Sequence, residues 1–430
     1  MNTLRQPFFN RARFLAALLL AATPPALAPR GTARAQIQEA HAQVQESPAQ
    51  VREGTLAEYL GEPVFTTEQL WKGRGGTSIV TATDGTVMAF QSMKHDAIRR
   101  SIDGGRTWGA EIGMGTGAGY GNAVVDDVSG DVLYVNPRAG WVFRSRDHGA
   151  TWAREAIESL APDGFGCVPT SVSSMQPGIT LAHGAHRGRL VMPARVQGPA
   201  ASNDVAWRPY HYSSAVWSDD GGRSWRTSHP FPVLGTGEGA IAELTDGSLL
   251  YNSREHMSPG NRYFARSHDG GETWIGPWQS AELPDGPRGS SYGCMGGMVR
   301  LPVAGRDILL TSNLDTDAGR MPEQPGGSIT KGRERVTVWA SFDAGRTWPV
   351  KRLVYDGPSG YSNLAAGRPG TPSAGRIFLL FESTPSGGER GIQVAAFNLA
   401  WLLDGRDPAG YLTGQQPELS IPPEAASPPP

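Results

Sequence analysis

The chain has 430 residues, with 39 Lys and Arg against 41 Asp and Glu, a formal net charge of −2. So even a balance gives no electrostatic drive toward nucleic acid or an anionic membrane surface, and neither is expected as a partner. The 56 Gly and 34 Pro make it turn-rich without the excess that signals disorder, and 12 Trp is high for this length.

In chain order, Arg5, Arg11 and Arg13 precede an apolar run from Phe14 to about Ala22, and Ala33-Arg34-Ala35 offers a small-x-small cleavage site. The run is too short to span a bilayer comfortably. It reads as an export signal over 1–35, cleaved near Ala35, which predicts a periplasmic or secreted protein without a membrane anchor. Residues 36–60 read as a linker, Ala/Gln-rich up to about Arg52. Beyond it, 78–82 and 87–91 flank Asp84-Gly85, and 240–244 and 248–252 flank Asp246-Gly247, both β-hairpin signals. Two further apolar, β-rich runs occupy 376–382 and 392–399. No stretch after the signal sustains a 3.6-residue period. The end of the chain, 404–430, reads as a tail that is Pro-rich from Gln415 on.

Between these runs the octet Ser-x-Asp-x-Gly-x-Thr/Ser-Trp occurs five times, beginning at Ser101, Ser145, Ser218, Ser267 and Ser341. The Asp can accept backbone N–H bonds within a tight turn, Gly supplies a conformation that a Cβ opposes, and Trp can plug the turn against a neighbouring sheet. The starts alternate between about 45 and about 74 residues apart. The shorter spacing suits one four-stranded propeller blade; the longer one suits a blade carrying a long loop, where function tends to reside. The expected fold is an all-β propeller over 61–403. The two cysteines, Cys167 and Cys294, are either one disulfide or two separate buried thiols, and without nearby histidines they make no zinc site.

The text between the octets resembles bacterial exo-α-sialidases. The strongest stretch runs from Glu238 through Glu243-Leu-Thr-Asp-Gly-Ser-Leu to Asn252-Ser-Arg254. Others are Arg333-Glu-Arg-Val-Thr-Val, Gly360-Tyr361-Ser362-Asn363-Leu364, Leu379-Leu-Phe-Glu382, the closing run from Val394 to Trp401, and Gly188 to Pro193. The resemblance covers about 64–403 and is loose in its first third. It implies a six-bladed propeller, a monomer with Asp-box repeats, with its active site at one end of the central axis.

The chemistry it implies needs these residue types. A sialic acid carries a carboxylate on the carbon where the glycosidic bond breaks, and arginine holds a carboxylate through two parallel charge-assisted hydrogen bonds. By motif position Arg254 and Arg333 match two arginines of the family's carboxylate-binding triad, and Arg74 stands for the first, although the usual Ile-Pro beside it is missing. An anionic nucleophile would be repelled by the substrate, so the family uses a neutral tyrosine, which needs a base because its free pKa is about 10. Tyr361 matches the nucleophile, Glu238 the base, and Glu382 the acid that braces the first arginine. Read singly, Tyr361 could be a turn tyrosine, Glu238 a solvated carboxylate and either arginine a strand-end ion pair. The loop that bears the general acid in the family is shortened here to Ser92–Ala97. Either Asp96 or His95 stands in for the acid, or another loop supplies it, or the reaction differs. The expected substrate is an acidic glycan or sialoglycoconjugate, cleaved by a retaining exo-α-sialidase-like hydrolase that needs no metal or other cofactor. An acidic-polysaccharide lyase using His95, His211 or Tyr212, and a propeller that binds without catalysis, are the alternatives.

Overall fold

The structure, a computed structural model, describes residues 52–73, 75, 77–91, 97–173, 175–197, 209–257, 260–285, 293–315, 333–384 and 388–412. The expected export signal, residues 36–51 of the expected linker and residues 413–430 lie outside them, as do Arg74, His95 and Asp96. The last part of the expected linker, 52–60, packs on the domain: Tyr59 is fully buried, and Gly54 bridges to Val303.

The chain is an all-β propeller with a few short helices. β1 (Phe65–Lys72) is followed by a four-stranded sheet of β2 (Thr77–Thr81), β3 (Val87–Gln91), β4 (Ala97–Ser101) and β5 (Ile112–Gly113). A second holds β6 (Asn122–Val125), β7 (Val132–Asn136), β8 (Trp141–Ser145) and β9 (Ala153–Ala156). A five-stranded sheet holds β10 (Ser159–Ala161), β11 (Ile179–Thr180), β12 (Leu190–Val196), β13 (Tyr212–Ser218) and β14 (Ser224–Thr227). β15 (Thr236–Glu243), β16 (Leu249–Glu255), β17 (Asn261–Ser267) and β18 (Ile275–Pro284) form another four-stranded sheet. Then come β19 (Met298–Arg300), β20 (Leu309–Leu314), β21 (Glu334–Ser341), β22 (Val350–Ala366), β23 (Ile377–Ser383) and β24 (Gly391–Phe397). These six join β1 in one seven-stranded sheet of order β1-β24-β23-β22-β21-β20-β19.

The described strands therefore make five hydrogen-bonded sheets, where six separate blades were expected. The cause is β22, a strand of 17 residues. Its first half pairs with β21 and its second half with β23. β1 pairs with β24 from Phe65↔Phe397 to Lys72↔Gly391, so the beginning of the domain closes the sheet built by its end.

Five hydrophobic clusters fill the spaces between neighbouring sheets, a sixth lies within the seven-stranded sheet, and each octet Trp enters one of the five. Trp108 packs with Ile79 and Phe378, Trp152 with Phe90, Trp225 with Leu133, Trp274 with Tyr251, and Trp348 with Phe264. Each octet begins at the last residue of β4, β8, β13, β17 or β21. In the first, Asp103 Oδ1 accepts from Ser101 Oγ at 2.8 Å and from the Arg106 and Thr107 N–H groups at 2.9 and 3.0 Å. The fourth octet position is left-handed throughout, and His148 (φ 54°) and Ala344 (φ 60°) occupy it where the other copies have Gly.

Inner strands bring the site together at the end away from the octets. Glu243, at the far end of β15 from Glu238, pairs with Leu249, which pairs with octet residue Ser267. Near the axis, Gln176 donates to Leu364 O at 2.5 Å and receives the Leu364 N–H at 3.2 Å, while its own N–H reaches Gly239 O at 3.1 Å. On the octet side of this strap lies a cavity of about 340 Å³ lined by inner-strand residues such as Ile79, Val125, Ile241 and Leu364.

Candidate functional site

Four of the sequence-predicted residues meet at the other end of the axis. Tyr361 Oη donates to Glu238 Oε1 at 2.9 Å. Arg254 Nη1 donates to Glu238 Oε2 and, at 3.3 Å, to Tyr361 Oη. Arg333 lies over the Tyr361 ring, its guanidinium carbon 5.4 Å from the ring centre. Tyr361 sits in β22, Glu238 in β15 and Arg254 in β16, whereas Arg333 immediately precedes β21. Glu238 and Arg254 thus meet a tyrosine 123 and 107 residues further along the chain because the inner ends of their sheets converge.

Glu382, on β23, accepts the Tyr361 backbone N–H at 3.3 Å. Its guanidinium partner among the described residues is Arg390, with Nη2 at 2.5 Å from Glu382 Oε2. A side chain at position 360 would run into both Glu382 and Arg390, so Gly360 leaves the room in which that pair sits. Arg74, expected as the arginine that Glu382 braces, and Asp96, expected as the acid, are not among the described residues.

A further arginine was not anticipated. Arg195, on β12, donates from Nη1 to Glu238 Oε1 at 3.3 Å, so two guanidinia share one buried carboxylate. Burial alone would push the Glu238 carboxyl up, but Arg254 and Arg195 hold it far below the usual carboxylate range. The Tyr361 hydroxyl goes the other way: burial, then the Glu238 charge, raise it against the opposing pull of Arg254 and Arg333. Arg333 is 8% exposed and donates from Nη2 to Gly293 O at 2.9 Å, while its buried Nε has no hydrogen-bond partner among the described residues. That leaves one donor of the guanidinium above Tyr361 unsatisfied among the described residues.

Behind these groups a fully buried Arg262 binds Asp285 Oδ1 at 2.7 Å and Cys294 O at 2.9 Å. It thereby fixes the segment whose Gly293 carbonyl holds Arg333. Burial lifts Asp285 to about 6 despite that partner. Cys294 is a buried free thiol and Cys167 a half-buried one, so the disulfide alternative is not realised. Tyr212 points elsewhere: its hydroxyl donates to Asp163 Oδ2 at 2.8 Å, and burial and that carboxylate raise its pKa, which suits no base. His211 lies edge-on to His256, with ring centres 6.3 Å apart. Among the described residues no three His, Cys, Asp or Glu side chains cluster as a metal site would require.

The cluster can hold an acidic group beside a tyrosine that is hydrogen-bonded to a carboxylate. Comparison with known proteins places the chain in a family. A family model for a BNR repeat-like domain matches residues 62–372. Over 392 residues the chain is 28% identical to a sialidase of Micromonospora viridifaciens, covering 80% of this chain and 55% of that protein. A Bacteroides fragilis sialidase is 26% identical over 347 residues, covering 67% of this chain and 56% of its own. The chain thus spans about half the length of these relatives. Among solved structures, an intramolecular trans-sialidase from Ruminococcus gnavus, crystallised with oseltamivir carboxylate, superposes with a TM-score of 0.52 at 16% identity, covering 82% of this chain and 99% of that one. Trypanosoma rangeli sialidase gives 0.52 at 16% identity, covering 80% and 61%. At such identity the likeness concerns the fold.

Proposed function

The chain belongs to the BNR-repeat family, and on that footing we propose that it is a retaining exo-α-sialidase-like glycoside hydrolase acting on terminal sialic acid or a related keto-sugar acid. The observation that carries this reading is the hydrogen bond between Tyr361 Oη and Glu238 Oε1, made beside Arg254 and beneath Arg333. A tyrosine that is to become a nucleophile needs such a base, and an acidic ligand is held by such arginines.

In this reading Arg254 and Arg333, with Arg74, hold the substrate carboxylate. Tyr361 passes its proton to Glu238 and attacks the anomeric carbon, giving a glycosyl-tyrosine that water then hydrolyses, so that the configuration is retained. Glu382 keeps the Tyr361 backbone in place. We assign the general acid to Asp96, which protonates the leaving oxygen. We read the seven-stranded sheet as two blades sharing the continuous β22, which brings the propeller to six. The amino-terminal segment is an export signal in this account, and the substrate is met outside the cytoplasm by a monomer.

The test is NMR of an aryl α-sialoside incubated with the protein. The α-anomer of the free sugar should appear first, and Tyr361→Phe should abolish turnover. An unsaturated sugar among the products would instead make the protein a lyase.

A further inference from the structure

With both guanidinia on Glu238, moving a proton from Tyr361 to it is uphill. Tyr361 is held above its ordinary pKa and Glu238 far below. A base that two arginines keep so acidic accepts no proton from a buried tyrosine until one of them lets go. Among the described residues the groups facing Glu238 are Arg195 from β12, Arg254 and His256 from β16 and its end, and Tyr361 from β22. His256 is neutral, since burial and then the Arg254 charge hold its pKa well below that of an ordinary histidine. The charges at issue are therefore the two guanidinia, and they grip different oxygens. Arg254 holds Oε2 and also touches Tyr361 Oη at 3.3 Å. Arg195 holds Oε1 at 3.3 Å, the oxygen that receives the Tyr361 proton.

We propose that an acidic ligand turns Glu238 into a base by ion-pair exchange: its carboxylate takes Arg254 away from Glu238 Oε2, while Arg195 stays on Oε1 and keeps that oxygen against Tyr361. This rests on the sialidase reading and adds a coupling that the reading lacks. The balance of the step is simple. The Tyr361 Oη–H bond breaks and a Glu238 Oε1–H bond forms, and one negative charge moves from the carboxylate to the phenolate oxygen that Arg254 still faces. No other reactant is needed. Arg195 is a positioning residue here, acting on Glu238 without touching the sugar. An opposite charge within about 4–6 Å lowers a carboxyl pKa by about 1–3 units, so losing Arg254 returns basicity on that scale. A substrate without a carboxylate would leave the base silent, which makes the ion pair a specificity device as well.

Calorimetry with free N-acetylneuraminic acid tests this without turnover. Binding is measured at about pH 4.5, near the ordinary pKa of a glutamate, in two buffers of different ionisation heat. Exchange predicts that the wild type takes up protons on binding and that Glu238→Gln binds without taking any up. Arg195→Gln should move the uptake to higher pH, and Arg195→Lys should move it back, a shift that a merely structural residue would not produce. Binding without uptake, or equal uptake in Glu238→Gln, overturns the proposal. An uptake pH unchanged in Arg195→Gln removes Arg195 from it. If this sugar acid does not bind at all, the sialidase reading fails instead. The same titration with glucuronate and with a 3-deoxy-octulosonate then reads the exchange on another acidic sugar, where binding without uptake again overturns it.

Discussion

Replacing Glu238 by Gln tests stability and chemistry together. Glu238 is 3% exposed and lies between Arg254, itself 2% exposed, and Arg195. Glutamine keeps the shape and removes the charge, leaving two guanidinia in the interior with no anion between them. Breaking a buried ion pair by deleting one partner costs about 3–5 kcal/mol, because the remaining charge stays desolvated. That is a large fraction of the roughly 5–15 kcal/mol that holds a folded domain together. Urea denaturation at neutral pH, followed by the fluorescence of the 12 Trp residues, should show a loss of that size. The loss also has a pH signature. The folded-state pKa of Glu238 is depressed, so its stabilisation is fully present above the unfolded pKa of about 4.3 and disappears as the pH falls toward the folded value. The gap between wild type and variant should therefore be constant from pH 7 to about 5 and narrow below about 4.3. Removing a general base should also lower kcat by about 10²–10⁴. A stability loss under about 1 kcal/mol, or a gap that widens on acidification, would refute the buried ion-pair arrangement.

Tyr361→Phe should lose turnover of an aryl sialoside while binding N-acetylneuraminic acid within a few-fold of wild type by calorimetry, since the carboxylate contacts are untouched. Glu382→Gln removes the charge that Arg390 and the Tyr361 backbone share; charge-assisted bonds contribute about 1.5–3 kcal/mol, so the KM for a sialoside should rise at least tenfold. Glu243 is raised to about 7, chiefly by burial and against the Ala182 and His183 N–H groups that bind it. A carboxyl with a raised folded pKa costs stability as pH rises from the unfolded to the folded value, so thermal unfolding should show the wild type losing ground to Glu243→Gln between about pH 4.5 and 7, by roughly 3 kcal/mol at most. Trp225→Ala, in an octet remote from the site, should cost about 3–5 kcal/mol in urea while leaving activity per folded molecule unchanged.

Much of the site was legible because its residues sit at fixed places on strands that the octets frame. Glu238 and Arg254 come from one hairpin whose Asp246-Gly247 turn sets their register, and Tyr361 lies in the second half of β22, which pairs with the apolar β23. The hairpin expected at 78–82 and 87–91 is found at Thr77–Thr81 and Val87–Gln91. What escaped the sequence are side-chain contacts between paired strands and between neighbouring sheets. Nothing local in Pro193-Ala-Arg195 says that its arginine reaches a glutamate on the next sheet, and Arg390 looks like a turn residue until β24 carries it to Glu382. The run 350–366 contains Gly357-Pro358, a pair that usually ends a strand. It is instead one strand that changes partners there, at the point where a proline needs no ladder bond. Residues 52–60 have a linker-like composition, yet the one aromatic among them, Tyr59, is fully buried and ties the segment down.

The central claim is that Tyr361 attacks the anomeric carbon of an acidic sugar. A fluorinated sialic acid donor, which forms its glycosyl adduct faster than water releases it, addresses that claim directly through intact-protein and peptide mass spectrometry. The account predicts one added sugar per chain, mapped to Tyr361, and none on Tyr361→Phe. An adduct on any other residue, or turnover of a sialoside with no adduct at all, would contradict it.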